Sequence, residues 1–422
     1  MQLIVEKSNL SGWAEIPASK SHTIRAAVIA SLADGTSTIV NPLKSADTIA
    51  AVNVCRAFGA RIEGEGDWVV TGVGGRLETP DDVIDVRNSG TTLYIAMGSA
   101  SLIDGATIFT GDHQIRSRPA GPLIDALSSL GADVFSTRGN GQPPLVVRGP
   151  LRGGRTSLDG SKTSQYLTSL LLNCPLADGG TEITVTNQIE RPYVDMTLAW
   201  MQEQGIRFER QGFDRFWVQG RQGYRAFEKR APGDWSSAAF FACAAAIMGS
   251  EVTLTGLDVK DTQGDKAVLD MLREMGATIG ATDDGVTIRG GELLGAEFDL
   301  NATPDLLPIM AVTACFAEGT TRLVNVAQAR LKETDRISVM REELEKMGAD
   351  IRELPDGLEI TGSKLHAAEV HGWHDHRVVM ALAVAGLACE GQTKIDTAEA
   401  MSVTFPNFAE LMRGVGASIE VS

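Results

Sequence analysis

The sequence lacks the features of membrane, secreted and nucleic-acid-binding proteins. Its longest strongly apolar runs, 238–248 and 378–388, have 11 residues each, short of the roughly 18 that a membrane-spanning helix needs. Glu6 and Lys7 stand where a signal peptide would have its apolar region, so we expect no secretion. Basic residues are outnumbered, and the net charge of −16 disfavours nucleic acid and anionic membranes as partners. We therefore expect a cytoplasmic protein that binds neither nucleic acid nor membranes.

Cysteine is also scarce. The five cysteines are Cys55, Cys174, Cys243, Cys315 and Cys389, dispersed through apolar segments without a CxxC pair. An odd and dispersed set of this kind predicts buried thiols in a reducing compartment rather than disulfides.

Glycine, by contrast, marks six copies of one unit. Each copy has an amphipathic stretch, then a glycine, then a short alternating run, which predicts a helix, a glycine cap and a strand. The glycines are Gly59, Gly131, Gly205, Gly276, Gly348 and Gly416, at spacings of 72, 74, 71, 72 and 68 residues. Self-similarity at a nearly fixed period predicts a repeat architecture for the whole chain.

A second signature alternates with the first. Six stretches, such as MAVTACFAEGTTRLV at 310–324, are apolar on nearly every side and end in a glycine turn before a strand. A helix without a polar face is buried. Each repeat is therefore predicted as strand, buried helix, strand, surface helix, strand, strand, which makes an α/β unit with inner and outer helices.

Basic residues gather at or near predicted helix starts in spite of the net charge. They are Lys20, Arg25, Arg116, Arg118, Lys332, Arg336 and Arg377. A helix N-terminus favours an anion through its dipole and its unpaired N–H groups. Scattered surface cations are the alternative. Recurrence at equivalent ends of a repeat favours one binding site for an anionic small molecule.

Seven motifs, in order from end to end, resemble the enolpyruvyl transferases and most closely the EPSP synthase family. LKETDRI and DGSKTSQYL are the specific motifs, whereas NSGTT alone is a weak signal. The seven motifs span residues 19–25, 88–92, 115–123, 159–167, 191–198, 331–337 and 375–387.

The resemblance implies a two-domain inverse α/β fold in which each domain has three βαβαββ repeats, six in all. One domain would hold residues 17–228, and the other would combine residues 1–16 with 229–422. In such a fold the buried helices direct their N-termini into the cleft between the domains, which makes that cleft electropositive. The resemblance also implies a monomer.

The implied reaction joins phosphoenolpyruvate to the 5-hydroxyl of shikimate 3-phosphate by addition and elimination, and it releases inorganic phosphate. It belongs to the shikimate pathway, which leads to chorismate and the aromatic amino acids, and the family is the target of glyphosate. No metal and no organic cofactor is implied. The chemistry needs cations for phosphates and carboxylates, together with carboxylates that move protons.

The resemblance assigns three overlapping sets of residues to this chemistry. Asp305 would accept the hydroxyl proton, and Glu333 would serve the C3 carbon. The implied catalytic set is Asp305, Glu333, Lys20 and His376. The implied phosphoenolpyruvate set is Lys20, Gly90, Arg118, Gln165, Arg336 and Arg377. The implied shikimate 3-phosphate set is Lys20, Ser21, Arg25, Thr163, Ser164, Gln165, Tyr193, Asp305, Gln328 and Lys332.

Other interpretations of single residues stay open. Asp305 precedes an apolar helix and suits a helix N-cap. Glu333 and Arg336 are three residues apart and suit a surface helical pair. The histidines of HGWHDHR, which are His371, His374 and His376, have a spacing compatible with metal ligation. The resemblance instead places His376 in the site and implies no metal.

Three positions depart from the family pattern. Tyr94 and Val403 stand where relatives usually have a cation, and Glu190 stands where a serine commonly binds the shikimate phosphate. Two other functions remain as alternatives. Transferases that act on UDP-N-acetylglucosamine usually carry a cysteine where this chain has Asp112 and His113. The second alternative is a repeat scaffold that binds anionic metabolites without chemistry.

Overall fold

The computed structural model describes residues 1–282 and 285–422 of the chain, and these form two compact units. The central unit is Ala18–Ala231, and the terminal unit combines Met1–Pro17 with Pro232–Ser422. Each unit has its own hydrophobic core. Each therefore has the apolar interior expected of a domain.

Helices and strands alternate in the order that the repeat predicts. The terminal unit begins with β1 (Leu3–Glu6) and β2 (Ser11–Glu15). The central unit contains α1 (Lys20–Leu32), β3 (Thr36–Val40), α2 (Ala46–Ala57), β4 (Arg61–Glu63), β5 (Trp68–Thr71), β6 (Ile84–Asp85), α3 (Gly90–Ala100), β7 (Ala106–Thr110), α4 (Gly121–Ser129), β8 (Asp133–Ser136), β9 (Leu145–Arg148), β10 (Gly154–Asp159), α5 (Gln165–Asn173), β11 (Thr181–Thr186), α6 (Arg191–Glu203), β12 (Phe208–Gln211), β13 (Arg215–Val218) and β14 (Glu228–Arg230).

The terminal unit then continues to the end of the chain. It contains α7 (Trp235–Ile247), β15 (Glu251–Thr255), α8 (Val268–Glu274), β16 (Thr278–Thr282), β17 (Gly285–Arg289), β18 (Glu297–Asp299), α9 (Leu307–Cys315), β19 (Thr320–Val324), α10 (Arg336–Lys346), β20 (Asp350–Leu354), β21 (Gly357–Thr361), β22 (Glu369–Val370), α11 (His376–Leu387), β23 (Gln392–Ile395), α12 (Phe408–Gly414) and β24 (Ser418–Val421). Short 3-10 helices span Ile115–Ser117, Cys174–Leu176, Gly264–Ala267, Pro304–Leu306, Ala327–Leu331 and Ala398–Val403.

The described strands form six four-stranded sheets that share one plan. The central-unit orders are β14-β3-β5-β4, β6-β7-β9-β8 and β10-β11-β13-β12, and the terminal-unit orders are β2-β15-β17-β16, β18-β19-β21-β20 and β22-β23-β1-β24. In every sheet the first two strands are parallel and the other neighbours are antiparallel. The predicted fold of six βαβαββ repeats is confirmed.

Three of these sheets take a strand from a distant part of the chain. β14 pairs in parallel with β3, and β2 pairs in parallel with β15. β1 lies between β23 and β24, with Leu3 opposite both Ile395 and Val421. Periodicity along the sequence cannot reveal these pairings, because the borrowed strands lie outside the segment that carries the repeat.

The inner helices α1, α3, α5, α7, α9 and α11 are buried, as predicted. α3 and α9 are buried at every residue, and α7 at every residue except Ile247. Asp234 caps α7 by accepting a hydrogen bond from the backbone N–H of Ser237 at 3.1 Å, and the many alanines allow close packing. The six repeat glycines have φ between 71° and 111°, which confirms that they end helices in the left-handed conformation.

Two further observations concern thiols and membranes. All five cysteines are buried thiols, as predicted. Within residues 1–282 and 285–422, no helix combines the length and the apolar character that crossing a membrane requires.

Candidate active site

In the central unit, three inner helices begin at predicted site residues. α1 begins at Lys20, α3 at Gly90 and α5 at Gln165. Such ends favour anions. Nζ of Lys20 lies 3.2 Å from Oδ2 of Asp47 on α2, and both side chains are largely buried. Asp47, which sequence reasoning missed, therefore holds the ammonium group at the start of α1.

Arg118 lies directly against the first residue of α3. A Cβ added to Gly90 would come within 2.6 Å of Nη1 of Arg118, so glycine leaves the room that the guanidinium needs. Tyr94 and Tyr166 both donate hydrogen bonds to the carbonyl oxygen of Pro119, at 2.8 and 2.6 Å. Burial raises the pKa of Tyr94 to about 12, so its hydroxyl stays a donor. Tyr94 thus fixes the backbone beside Arg118 and supplies no charge.

Arg25 is a buried cation among uncharged oxygens. It donates to Oγ1 of Thr197 at 3.0 Å and of Thr168 at 3.3 Å, and to the carbonyl oxygens of Ser21 and Tyr193 at 3.1 Å each. Burial lowers the pKa of Arg25 to about 10, which still leaves it protonated at neutral pH. Its charge is therefore stabilised by dipoles and is available to attract an anion.

The start of α5 already holds a carboxylate. Oε2 of Glu190 accepts hydrogen bonds from Oγ1 of Thr163 at 3.3 Å, and from N and Oγ of Ser164 at 3.0 and 2.9 Å. The side chain of Gln165 donates from Nε2 to Oγ1 of Thr91 on α3 at 2.9 Å. Glu190 thus binds two residues, Thr163 and Ser164, that the family resemblance assigns to the substrate shikimate 3-phosphate.

In the terminal unit, predicted residues converge on one arginine. Arg336, at the start of α10, is 1% exposed. Its Nε and Nη1 lie 2.8 Å from Oδ2 of Asp375 and Oδ1 of Asp305, and its Nη2 lies 2.5 Å from Oε2 of Glu333. Burial alone would lower the pKa of Arg336, but the three carboxylates raise it overall. The charged guanidinium fixes the three carboxylates in one arrangement.

Asp305 bridges two guanidinium groups. Its second oxygen, Oδ2, lies 3.0 Å from Nη2 of Arg377. Asp305 is the middle residue of the 3-10 helix Pro304–Leu306, whose N-cap is Thr303, so the N-cap interpretation of Asp305 is wrong. The surface-pair interpretation of Glu333 is also wrong, because its side chain is only 10% exposed and that of Arg336 1%.

His376, the first residue of α11, is a buried and neutral imidazole. Burial lowers its pKa to about 3, and among the described residues neither ring nitrogen has a hydrogen-bond partner. The other two histidines of its motif lie outward: Nδ1 of His371 is 2.7 Å from Oδ2 of Asp396, and Nδ1 of His374 is 3.7 Å from Oε1 of Glu399. In the described part of the chain, no group of three or more His, Cys, Asp or Glu side chains is placed to hold a metal ion.

Three other residues of interest lie in or beside short 3-10 helices. Gln328 is buried in Ala327–Leu331 and donates from Nε2 to the carbonyl oxygen of Asn301 at 3.0 Å. Lys332 follows that helix and is half-buried, and Val403 ends the helix Ala398–Val403 and is also half-buried. Gln328 is therefore oriented by the backbone of the segment that precedes Asp305.

Sequence reasoning missed two buried carboxylates of this unit. Asp375 accepts hydrogen bonds from Arg336 and, at 2.9 Å, from the backbone N–H of Arg377; its place just before an apolar helix was a usable N-cap signal. Asp265 is 2% exposed and accepts a hydrogen bond from the hydroxyl of Ser236. Burial, and then the charge of Asp305, raise the pKa of Asp265 to about 7. No sequence pattern marked Asp265.

Asp265 should make the stability of the protein depend on pH. Because its folded-state pKa of about 7 exceeds the ordinary 3.8, the folded state binds its proton more tightly than the unfolded state does. The stabilisation is complete below the ordinary pKa and is lost as the pH rises through about 7, by up to ~4 kcal/mol. Buried His376, whose pKa is lowered to about 3, gives an opposite slope between about pH 4 and 6.5, so the Asp265 contribution is read as a difference. In urea unfolding between about pH 4 and 8, the free energy of unfolding of the wild type minus that of Asp265→Asn should fall as the pH rises to about 7.

The control for that measurement is Asp270→Asn. Asp270 lies on α8 with its side chain 82% exposed, so its removal should leave the slope unchanged. Equal slopes in the wild type and in Asp265→Asn would show that Asp265 does not titrate in this range.

Comparison with known proteins identifies the family. Residues 4–412 match the family model of EPSP synthase (3-phosphoshikimate 1-carboxyvinyltransferase). The chain belongs to the EPSP synthase family. It is 54% identical over 422 residues to a 3-phosphoshikimate 1-carboxyvinyltransferase of Ruminiclostridium cellulolyticum, covering 100% of each chain. It is 56% identical over 420 residues to the enzyme of that name from Acetivibrio thermocellus, covering 99% of each.

A solved structure agrees with the family assignment. EPSP synthase from Acinetobacter baumannii matches with a TM-score of 0.84 at 28% identity, covering 100% of this chain and 99% of the other. The predicted membership of the EPSP synthase family and the predicted inverse α/β fold are therefore confirmed.

Proposed function

We propose that this chain transfers the enolpyruvyl group of phosphoenolpyruvate to the 5-hydroxyl of shikimate 3-phosphate, giving 5-enolpyruvylshikimate 3-phosphate and inorganic phosphate. One observation carries the chemistry: Asp305 and Glu333 are held together on Arg336, with Arg377 on the second oxygen of Asp305. Addition and elimination need two proton carriers beside cations that balance anionic substrates. The cluster contains both.

The central unit supplies the anion-binding groups of the proposal. Lys20, Gly90, Arg118 and Gln165 would bind phosphoenolpyruvate. Ser21, Arg25, Thr163, Ser164 and Tyr193 would bind shikimate 3-phosphate with Lys20 and Gln165. The space that Gly90 leaves for Arg118 and the neutral surroundings of Arg25 support these roles, since packing and dipoles fix both guanidiniums.

The terminal unit supplies the proton transfers. Asp305 takes the proton of the 5-hydroxyl as the hydroxyl oxygen bonds to C2 of phosphoenolpyruvate, and Glu333, which has to enter this step protonated, delivers its proton to C3. Glu333 then takes a proton back from C3 as the C2–O bond to phosphate breaks, which restores the double bond and the proton on Glu333. The proton on Asp305 leaves with the phosphate. Lys332 and Gln328 would bind the acceptor, and Arg377 would bind phosphoenolpyruvate. His376 stays neutral beside this cluster.

Arg336 has two roles in the proposal. Its hydrogen bonds go to Asp375, Asp305 and Glu333, so it orients the proton carriers. Its predicted contact with phosphoenolpyruvate stays a prediction, and that contact requires one carboxylate bond to be exchanged for a bond to substrate. We also propose that the chain acts in the cytoplasm as a monomer and without a cofactor.

Phosphate release tests the proposal directly. The full chain is incubated with phosphoenolpyruvate and, in parallel, with shikimate 3-phosphate, with UDP-N-acetylglucosamine or with no acceptor. We expect inorganic phosphate only with shikimate 3-phosphate. Release with the UDP-sugar instead would place the chain in the other transferase branch. A folded protein that releases no phosphate with either acceptor would fit the scaffold alternative.

A further inference from the structure

The carboxylate of Glu190 occupies an anion position inside the central unit. Glu190 is 1% exposed, and its Oε2 accepts three hydrogen bonds, two from Ser164 and one from Thr163. These donors are a backbone N–H and two hydroxyls at the start of the nine-residue helix α5. They are the kind of donors that bind a phosphate.

The backbone of Glu190 has a conformation that a glutamate disfavours. Its φ of 52° and ψ of 40° are left-handed, a conformation that residues other than glycine, asparagine and aspartate seldom adopt. Glu190 stands at the N-cap of α6, yet its side chain makes no capping hydrogen bond there. Its carboxylate instead accepts hydrogen bonds at the start of α5. Backbone strain that is kept in a buried residue is typical of binding sites.

A phosphate and the Glu190 carboxylate cannot share these donors. Both are anions, and like charges at hydrogen-bond distance repel strongly in a site with little water. An acceptor whose phosphate binds Thr163 and Ser164 must therefore displace Glu190. When the binding-competent state is only part of the population, the apparent affinity falls by that fraction.

We infer that Glu190 is a specificity-determining residue that competes with the phosphate of the acceptor for Thr163 and Ser164. The inference rests on the proposed function, because it takes shikimate 3-phosphate as the acceptor. It predicts weakened binding of the phosphorylated acceptor and no effect on acceptors that lack the phosphate. The carboxylate thus acts as a built-in competitor that the phosphate group has to displace.

Calorimetric titration of the full chain tests the inference. Glu190→Ser should bind shikimate 3-phosphate about tenfold or more tightly than the wild type, since the competing charge is gone. Glu190→Gln keeps an oxygen that can accept a hydrogen bond from Ser164. Its affinity for shikimate 3-phosphate should lie between those of the wild type and Glu190→Ser. Binding of unphosphorylated shikimate should change by less than about twofold in both variants. Glu209→Ser, an exposed carboxylate on β12, is the matched control and should behave as wild type.

Binding and turnover separate this inference from the proposed function. The inference would be overturned if Glu190→Ser and Glu190→Gln keep the wild-type melting temperature and both bind shikimate 3-phosphate no more tightly than the wild type does. Tighter binding without phosphate release in any variant would keep the inference and refute the proposed activity. If Glu190→Ser melts early, Glu190→Gln decides, because it retains the hydrogen-bond acceptor at α5. If neither the wild type nor any variant binds shikimate 3-phosphate, both the inference and the proposed function are overturned.

Discussion

Replacing Glu333 with glutamine should lower turnover by about 10²–10⁴-fold while binding of shikimate 3-phosphate stays near the wild-type value. The amide oxygen of glutamine can still accept the hydrogen bond from Arg336, so the cluster keeps its geometry. It cannot carry a proton to or from C3. Steady-state kinetics give kcat, and calorimetry gives the acceptor affinity.

A second readout distinguishes proton transfer from positioning. In heavy water, the wild type should place deuterium on the C3 methylene of the product, and Glu333→Gln should slow that incorporation in step with turnover. Glu345→Gln is the control, since Glu345 is exposed and pairs with Arg341, and both residues lie on α10. Near-normal turnover of Glu333→Gln would remove Glu333 from the proton-transfer step.

Replacing Arg336 with methionine should lower the free energy of unfolding by about 3–5 kcal/mol. The change leaves Asp375, whose side chain is fully buried, without its cation. It also removes the Arg336 contact of Glu333, while Asp305 keeps its contact with Arg377. Urea unfolding at neutral pH measures the loss. Arg341→Met removes a one-third-exposed arginine that pairs with Glu345 on α10 and, at 3.5 Å, with Glu353 on β20. Partly exposed pairs of this kind contribute little, so the change should cost at most about 1 kcal/mol.

The double variant Arg336→Met with Asp375→Asn tests the cause of that loss. Asparagine is also a good N-cap, so it can keep the hydrogen bond to the backbone of Arg377 while removing the orphaned charge. Recovery of part of the lost stability is expected. A double variant no more stable than Arg336→Met would mean that packing, rather than the buried carboxylate, causes the loss.

The repeat could be predicted from the sequence because its signals are local. A glycine after an amphipathic stretch and an apolar stretch before a glycine turn are each set by a few neighbouring residues. They located the six caps and the six inner helices. The pairing of β14 with β3 depends on residues about 190 apart, and three-residue strands such as Glu228–Arg230 have no periodicity to detect.

The candidate site could be predicted only in part, for a related reason. Motifs marked Arg336, Asp305 and Glu333, and the structure brings these three together within one unit. Motifs did not mark Asp265, whose raised pKa comes from burial and from Asp305, a residue 40 positions away. Glu190 was recognised as a departure from the family pattern, but its hydrogen bonds to α5 depend on a left-handed backbone that its residue type disfavours.

The position of β1 has a consequence for synthesis on the ribosome. Its partners β23 and β24 are made roughly 390 residues later, which at about 5–20 residues per second is a delay on the order of 20–80 s. During that time the apolar strand Leu3–Glu6 has no sheet to join, and unpaired apolar strands attract other chains. The central unit needs only residues up to Ala231 and can fold while the terminal unit is still incomplete. The nascent chain therefore carries this apolar strand unpaired until β23 and β24 have been made, and we expect it to need chaperone protection over that interval.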